Sequence, residues 1–249
     1  MWLLEERQFI DVEQFSVVSD SGPLLVNVTF HIPRGAFVSV VGRSGSGKTT
    51  LLRGLNGQIG FFDGCRHTGD IRFGDLSIFD GSVGAERVRR RATMAFDRPY
   101  LFPMSVLENI VYPLRLDGIR RRQLLRDRAY TVLEAFGLTR EIGPVLNRYP
   151  HELPLSIAQL VSFVRATIRE PDMLLLDDPC CRLDPWASAH LEELIERAAD
   201  ATTVVMSTND IAQAKRLSDF VVVLDDGHLV DLVTLAGGKT LVLSRPLQR

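Results

Sequence analysis

Residues 36–55 read AFVSVVGRSGSGKTTLLRGL, and no other stretch limits the fold as tightly. A short apolar run rich in β-branched residues feeds a loop with glycines at 42, 45 and 47, and from Lys48 onward the pattern turns helical. Glycines let successive backbone N–H groups converge on one point, and the helix that follows adds the positive end of its dipole. Gly42, Arg43, Ser44, Gly45, Ser46, Gly47, Lys48, Thr49 and Thr50 are therefore candidate nucleotide-phosphate ligands. Lys48 would neutralise β- and γ-phosphate charge, and the Thr49 hydroxyl is a candidate ligand of Mg²⁺.

Flanking patterns extend the same α/β plan. Residues 8–18 and 24–32 alternate apolar and polar about Asp20-Ser21-Gly22-Pro23, which predicts two antiparallel strands joined by a turn. Apolar runs at 172–177, 203–207 and 220–224 predict parallel strands covered on both faces, and Asp226-Gly227 predicts a hairpin into 228–234. From about 98 to 170 the period becomes helical, in SVLENIVYPLRL, RRQLLRDRAYTVLEAFGL and SIAQLVSFVRATIRE. One domain over 1–249 is expected, with a core from 1–97 and 171–249, an antiparallel β subdomain, and a helical subdomain inserted at 98–170. No repeat, low-complexity linker or appended C-terminal domain is expected.

The bulk numbers exclude some partners. Of 249 residues 45% are hydrophobic, ample for one large core, and the formal net charge of -2 provides no basic field for nucleic acid. Arg89-Arg90-Arg91 and Arg120-Arg121-Arg122 read as solvated helix faces. No apolar run approaches the ~20 residues that span a bilayer, and the first residues, MWLLEE, carry acids where a signal peptide needs basic ones. Cys65 and the adjacent Cys180-Cys181 fit no metal-ligand spacing and are expected to be reduced.

A second element completes the phosphate chemistry. In MLLLDD (173–178) an apolar strand ends in Asp177, an acid placed to hold Mg²⁺ beside a phosphate loop.

With these pieces in place the chain resembles the ATP-binding subunits of ABC transporters. YPHEL (149–153) is similar to the approach to that family's signature motif, RATIREPDMLLLDDP (165–179) to its Walker B region, and LDP (183–185) to its D-loop. LLRGLNG and ERVRRRATMAFDRPYLFPMSVLENIVYPLRLDGIR look most like the ATPases of phosphate importers. The resemblance implies a P-loop NTPase fold, ATP and Mg²⁺ as ligands, a second ATP-binding subunit in a homodimer or heterodimer, and permease subunits docking near 96–115. It implies no nucleic acid, and a cytoplasmic location, peripheral on the inner face of the cell membrane.

Against the family pattern several positions have changed. Val18 and Ser19 stand where an aromatic stacks on adenine, a contact worth ~0.5–1.5 kcal/mol beyond area burial, while nearby Phe15 alternates into the core. Asp97 stands at the glutamine of the Q-loop. Leu153-Pro154-Leu155-Ser156-Ile157 aligns without gaps to the L-S-G-G-Q signature. Pro154 has no N–H there and Leu155 is bulky where glycine would admit a phosphate, so Ser156 is expected to act as a helix cap. The alternative register, Leu155 to Gln159, would turn the following helix by ~200°. Asp178 replaces the catalytic glutamate and is the candidate base, its carboxylate withdrawn by about 1.5 Å. A displacement near 1 Å can cost ~10²-fold in rate, so hydrolysis is expected to be impaired. Thr208 is placed at the switch histidine, a hydrogen-bond donor that cannot relay a proton near neutral pH.

Overall fold

A computed structural model describes residues 8–61, 64–235 and 241–242. The reading of the first residues therefore lies outside the described part. The sheet strands are β1 (Gln8–Ser19), β2 (Gly22–Pro33), β3 (Phe37–Val41), β4 (Arg66–Phe73), β5 (Leu76–Ser77), β6 (Ala92–Ala95), β7 (Met173–Asp177), β8 (Thr203–Thr208), β9 (Phe220–Asp225), β10 (His228–Thr234) and β11 (Leu241–Val242). The helices are α1 (Lys48–Leu55), α2 (Gly81–Arg91), α3 (Val106–Leu116), α4 (Arg122–Ala135), α5 (Thr139–Ile142), α6 (Leu155–Thr167), α7 (Pro185–Ala199) and α8 (Ile211–Leu217).

Two kinds of strand share one sheet, in the order β5-β4-β1-β2-β10-β9-β3-β8-β7-β6, with β11 beside β10. β1, β2, β4 and β5 pair antiparallel, whereas β9, β3, β8, β7 and β6 run parallel. Every residue of β3, β7 and β8 is buried, which explains why their sequences are continuous apolar runs rather than alternating ones. In register, Val41 lies beside Thr208 and Asp177 beside Ser207, so the carboxyl ends of three strands meet along one edge. Such an edge is where open parallel sheets place their ligands.

Between β6 and β7 the chain leaves the sheet and forms the helical lobe, α3 to α6. Its apolar faces meet through Ile110, Leu114, Leu125, Leu133, Val161 and Val164, continuous with Leu174 and Leu176 of β7. α3 starts with a capping box: the Ser105 hydroxyl accepts from the Glu108 N–H while the Glu108 carboxylate accepts from the Ser105 N–H. These bonds hold the Glu108 carboxyl below the usual carboxylate range. Buried Asn109 pins the preceding loop, accepting from Phe102 N–H at 2.8 Å and donating to the Phe102 carbonyl at 3.1 Å.

α6 corrects one expectation. Ser156 does not cap it; the helix begins at Leu155 with Pro154 in the capping position, and Pro154's φ of -58° with ψ of 151° suits the entry. Proline's fixed φ supplies that geometry without a side-chain bond. Phe15 is fully buried and stacks on Phe79 at 5.4 Å, as its alternation implies. The three cysteines are free. Arg90 pairs with Glu86 one turn earlier on α2, while Arg91 reaches Asp172 at 2.6 Å, so that run is part solvated face and part tether between elements. Among the described residues no helix is long and apolar enough to cross a membrane.

Candidate functional site

The phosphate loop leaves β3 and enters α1 at the edge where β7 and β8 also end. A cleft of about 640 Å³ opens there, walled by Ser44, Gly45, Gly47, Lys48, Thr49, Thr50, Asp97, Asp177 and Asp178 of the expected residues. Gly47 has φ of 100°, and a Cβ on it would come within 2.7 Å of the Leu24 carbonyl oxygen. Only glycine fits, because both the left-handed backbone and the close neighbour reject a side chain. Gly42, Arg43 and Ser46 contribute from behind the wall: Lys48 Nζ donates to the Gly42 and Arg43 carbonyl oxygens at 2.6 and 2.8 Å, and the Ser46 N–H to that of Arg43 at 3.1 Å. The lysine is thereby aimed along the loop rather than into solvent.

Asp177 and Thr49, the two candidate Mg²⁺ ligands, meet at one end of the cleft. The Thr49 hydroxyl donates to Asp177 Oδ1 at 3.0 Å, and the Ser207 hydroxyl donates to the same oxygen at 2.7 Å. A buried carboxylate beside a hydroxyl is a hard oxygen donor set, and it fits Mg²⁺ bound together with phosphate oxygens.

Next to this pair, Asp178 adopts φ of 47°, an uncommon left-handed turn that directs its backbone N–H to Ser207. Its side chain accepts from Asn209 Nδ2 at 2.8 Å, and Asn209 Oδ1 accepts from Lys48 Nζ at 3.0 Å. One amide therefore bridges the phosphate lysine and the candidate base. Burial pushes the Asp178 carboxyl up, with repulsion from Asp177 in the same direction and attraction to Lys48 opposing. Burial pulls Lys48 down, opposed by Asp178 and Asp177.

This bridge corrects the assignment of Thr208. Thr208 is buried at the end of β8, its hydroxyl accepts from the Asp210 N–H at 3.0 Å, and it borders an adjoining cavity rather than the phosphate cleft. The polar side chain that β8 delivers to the phosphate end is Asn209, one residue later. The signal was present in MSTND as the first polar residue beyond the buried run, since a strand-end side chain enters the cleft only once the sheet has stopped covering it. Ser207 was also missed, because a serine inside an apolar run reads as filler until its two Asp partners are seen.

The remaining changed positions fall as follows. Asp97 lines the cleft and pairs with Arg182, Nε to Oδ2 at 3.5 Å. Val18 is half exposed and is not part of the cleft wall, whereas Leu24 is. Leu155 is exposed at the first turn of α6. Asp184 caps α7, its carboxylate accepting from the Trp186 and Ala187 N–H groups at 3.0 Å each. Cys180 is pushed up to about 12, chiefly by burial, so it is a thiol and no nucleophile.

A glycine loop between strand and helix, an acid ending the neighbouring strand and a helical lobe inserted before it define a P-loop nucleotide-binding cassette. Comparison with known sequences makes the assignment specific. The family model described as ABC transporter matches residues 25–181, and the chain belongs to that family as an ATP-binding subunit, a class that binds ATP with Mg²⁺. It is 36% identical over 229 residues to the phosphate import ATP-binding protein PstB 1 of Yersinia pestis bv. Antiqua (strain Antiqua), covering 92% of this chain and 85% of that one. To PstB 2 of Aliivibrio fischeri (strain ATCC 700601 / ES114) it is 34% identical, covering 99% of this chain and 89% of the relative. Among solved structures, the dimeric ATP-binding cassette MJ0796 bound to ADP and Pi superimposes with a TM-score of 0.81 at 26% identity, over 92% of this chain and 99% of that chain.

Proposed function

We propose that this chain is the ATP-binding subunit of a phosphate-import-type ABC transporter, one that grips Mg·ATP firmly and hydrolyses it slowly. The observation that supports it is the contrast within one cleft: Lys48 is aimed along the loop and Thr49 bonds Asp177, an arrangement suited to phosphate and Mg²⁺, while Asp178 stands where the family has a longer carboxylate. The gripping residues fix the β- and γ-phosphates through the N–H groups of the loop and the charge of Lys48. Bound Mg²⁺ would supply further neutralisation of phosphate charge, held through Thr49 and Asp177. Asp178 would take the proton of the attacking water, and Asn209 orients it through the 2.8 Å bond. An amide at 209 donates and accepts but cannot carry a proton, so it orients without relaying.

The expected partners are a second ATP-binding subunit facing this cleft and permease subunits at the surface around 96–115, which would hold the chain at the cytoplasmic face of the membrane. Pro154 and Leu155 begin α6 on an exposed turn, and a dimer partner would receive fewer backbone donors there than a glycine pair provides. Those same changes favour a second reading, a nucleotide-responsive module that binds ATP without turnover. Reconstitution with the permease subunits in lipid vesicles separates the two. ATP-dependent phosphate uptake above the level without this chain supports the transporter; nucleotide binding with neither uptake nor turnover supports the module.

A further inference from the structure

Asp97 brings a third carboxylate, besides Asp177 and Asp178, to a cleft that must accept a polyanion. Its charge is felt inside the site, where it adds to the forces that push Asp178 up. An unpaired carboxylate there would repel the terminal phosphate of ATP more than that of ADP, because a Coulomb term falls with distance and grows with ligand charge. The structure supplies a counter-charge. Arg182, on the loop between β7 and α7, places its Nε 3.5 Å from Asp97 Oδ2.

The two loops that carry this pair are held in place by α6. Gln159 Nε2 donates to the Phe96 carbonyl at 3.0 Å and to the Pro179 carbonyl at 3.1 Å, so one side chain clips the residue before Asp97 to the residue after Asp178. Six residues further along the helix, Arg165 Nη2 donates to the Tyr100 carbonyl at 2.7 Å. The loop that contains Asp97 is thus tied to α6 on both sides. Nothing in these backbone ties needs Arg182, and a pair with both side chains over a third exposed contributes little to fold stability. Asp97 and the neighbouring Cys181 line the cleft, so Arg182 acts on it from behind the wall, through Asp97.

We propose that Arg182 is a positioning residue of the nucleotide site: its guanidinium holds the Asp97 carboxylate aside and neutralises it, so that the cleft accepts the terminal phosphate of Mg·ATP. The inference rests on the nucleotide-binding reading above and extends it to two residues outside the phosphate grip.

Fluorescent ATP and ADP analogues titrated with Mg²⁺ into the full chain test it through a double-mutant cycle of Arg182→Ala and Asp97→Gln, with Arg182→Lys as the conservative variant. Arg182→Ala should weaken Mg·ATP binding by about threefold to tenfold and Mg·ADP binding less, with the gap shrinking as salt is raised. Asp97→Gln should tighten Mg·ATP binding, and in that background Arg182→Ala should cost little more. Arg182→Lys should keep most of the wild-type affinity. An equal loss from Arg182→Ala in both backgrounds, or equal losses for ATP and ADP, would overturn the proposal. Wild-type chain that binds neither nucleotide would instead overturn the nucleotide-binding reading, and the inference would fall with it.

Discussion

The loop proposed to grip phosphate and the rim proposed to face the attacking water share one cleft but are built differently. The grip comes from one contiguous stretch, Gly42–Thr50, whose chemistry is mostly backbone: carbonyl oxygens aim Lys48, and glycine conformations aim the N–H groups. The rim is assembled from side chains on separate loops, namely Asp97 after β6, Asp178 after β7 and Asn209 after β8. A backbone device depends on a few positions, such as Gly42 and Gly47, where a side chain would collide with neighbouring atoms, and on Lys48. A side-chain assembly can lose its members singly, keeping the fold and the ligand while slowing the chemistry.

The sharpest way to break that contrast is to remove the buried side-chain charge of the grip, Lys48. Lys48→Ala should lower Mg·ATP affinity by about tenfold to a hundredfold, the scale of losing charge-assisted bonds, measured by equilibrium titration. Turnover should disappear with it.

On the rim the expected change has the opposite sign. Asp178→Glu restores the missing methylene and should raise phosphate release by about tenfold, with affinity little altered. No gain in rate would mean that Asp178 is not what limits hydrolysis.

Away from the cleft, Ser105→Ala removes the cap of α3 and should cost about 1 kcal/mol of stability in chemical denaturation. Mg·ATP affinity should stay unchanged, because the capping box sits in the helical lobe and touches no cleft residue.

The smallest effect is a pH dependence. Burial raises the Asp178 carboxyl in the folded chain, so the stability linked to its protonated form is fully present below the ordinary aspartate pKa and is lost as pH rises through the folded value. At neutral pH the ionised group therefore weakens the fold, and Asp178→Asn should stabilise it by a few tenths of a kcal/mol, about what a half-buried, screened charge allows. Thermal melts should show that gain at pH 7 and its disappearance at pH below the usual carboxylate range.

How much was legible in the sequence follows the same division. The glycine loop, Asp177 and the helical lobe were readable because local spacing and hydrophobic period determine them. β4, α2, α7 and α8 were not foreseen; GSVGAERVRRR, for example, carries two glycines, which argue against a helix when the segment is read alone. The change from Thr208 to Asn209 has another cause. A one-residue choice at a strand end depends on where the sheet stops covering side chains, and only the register of β8 against β3 and β7 fixes that point. Ser156 likewise read as a cap because serine favours that role, whereas Pro154 already had the required backbone angle. The Asp97–Arg182 pair was invisible, its partners being 85 residues apart.

The most direct test of this account measures Mg·ATP binding and phosphate release in the same samples of wild-type chain, Lys48→Ala and Asp178→Glu. The predicted result is firm binding with slow release for wild type, binding weakened about tenfold to a hundredfold with release lost in Lys48→Ala, and faster release at similar affinity for Asp178→Glu. Wild-type release as fast as that of Asp178→Glu, or binding that survives Lys48→Ala undiminished, would contradict it.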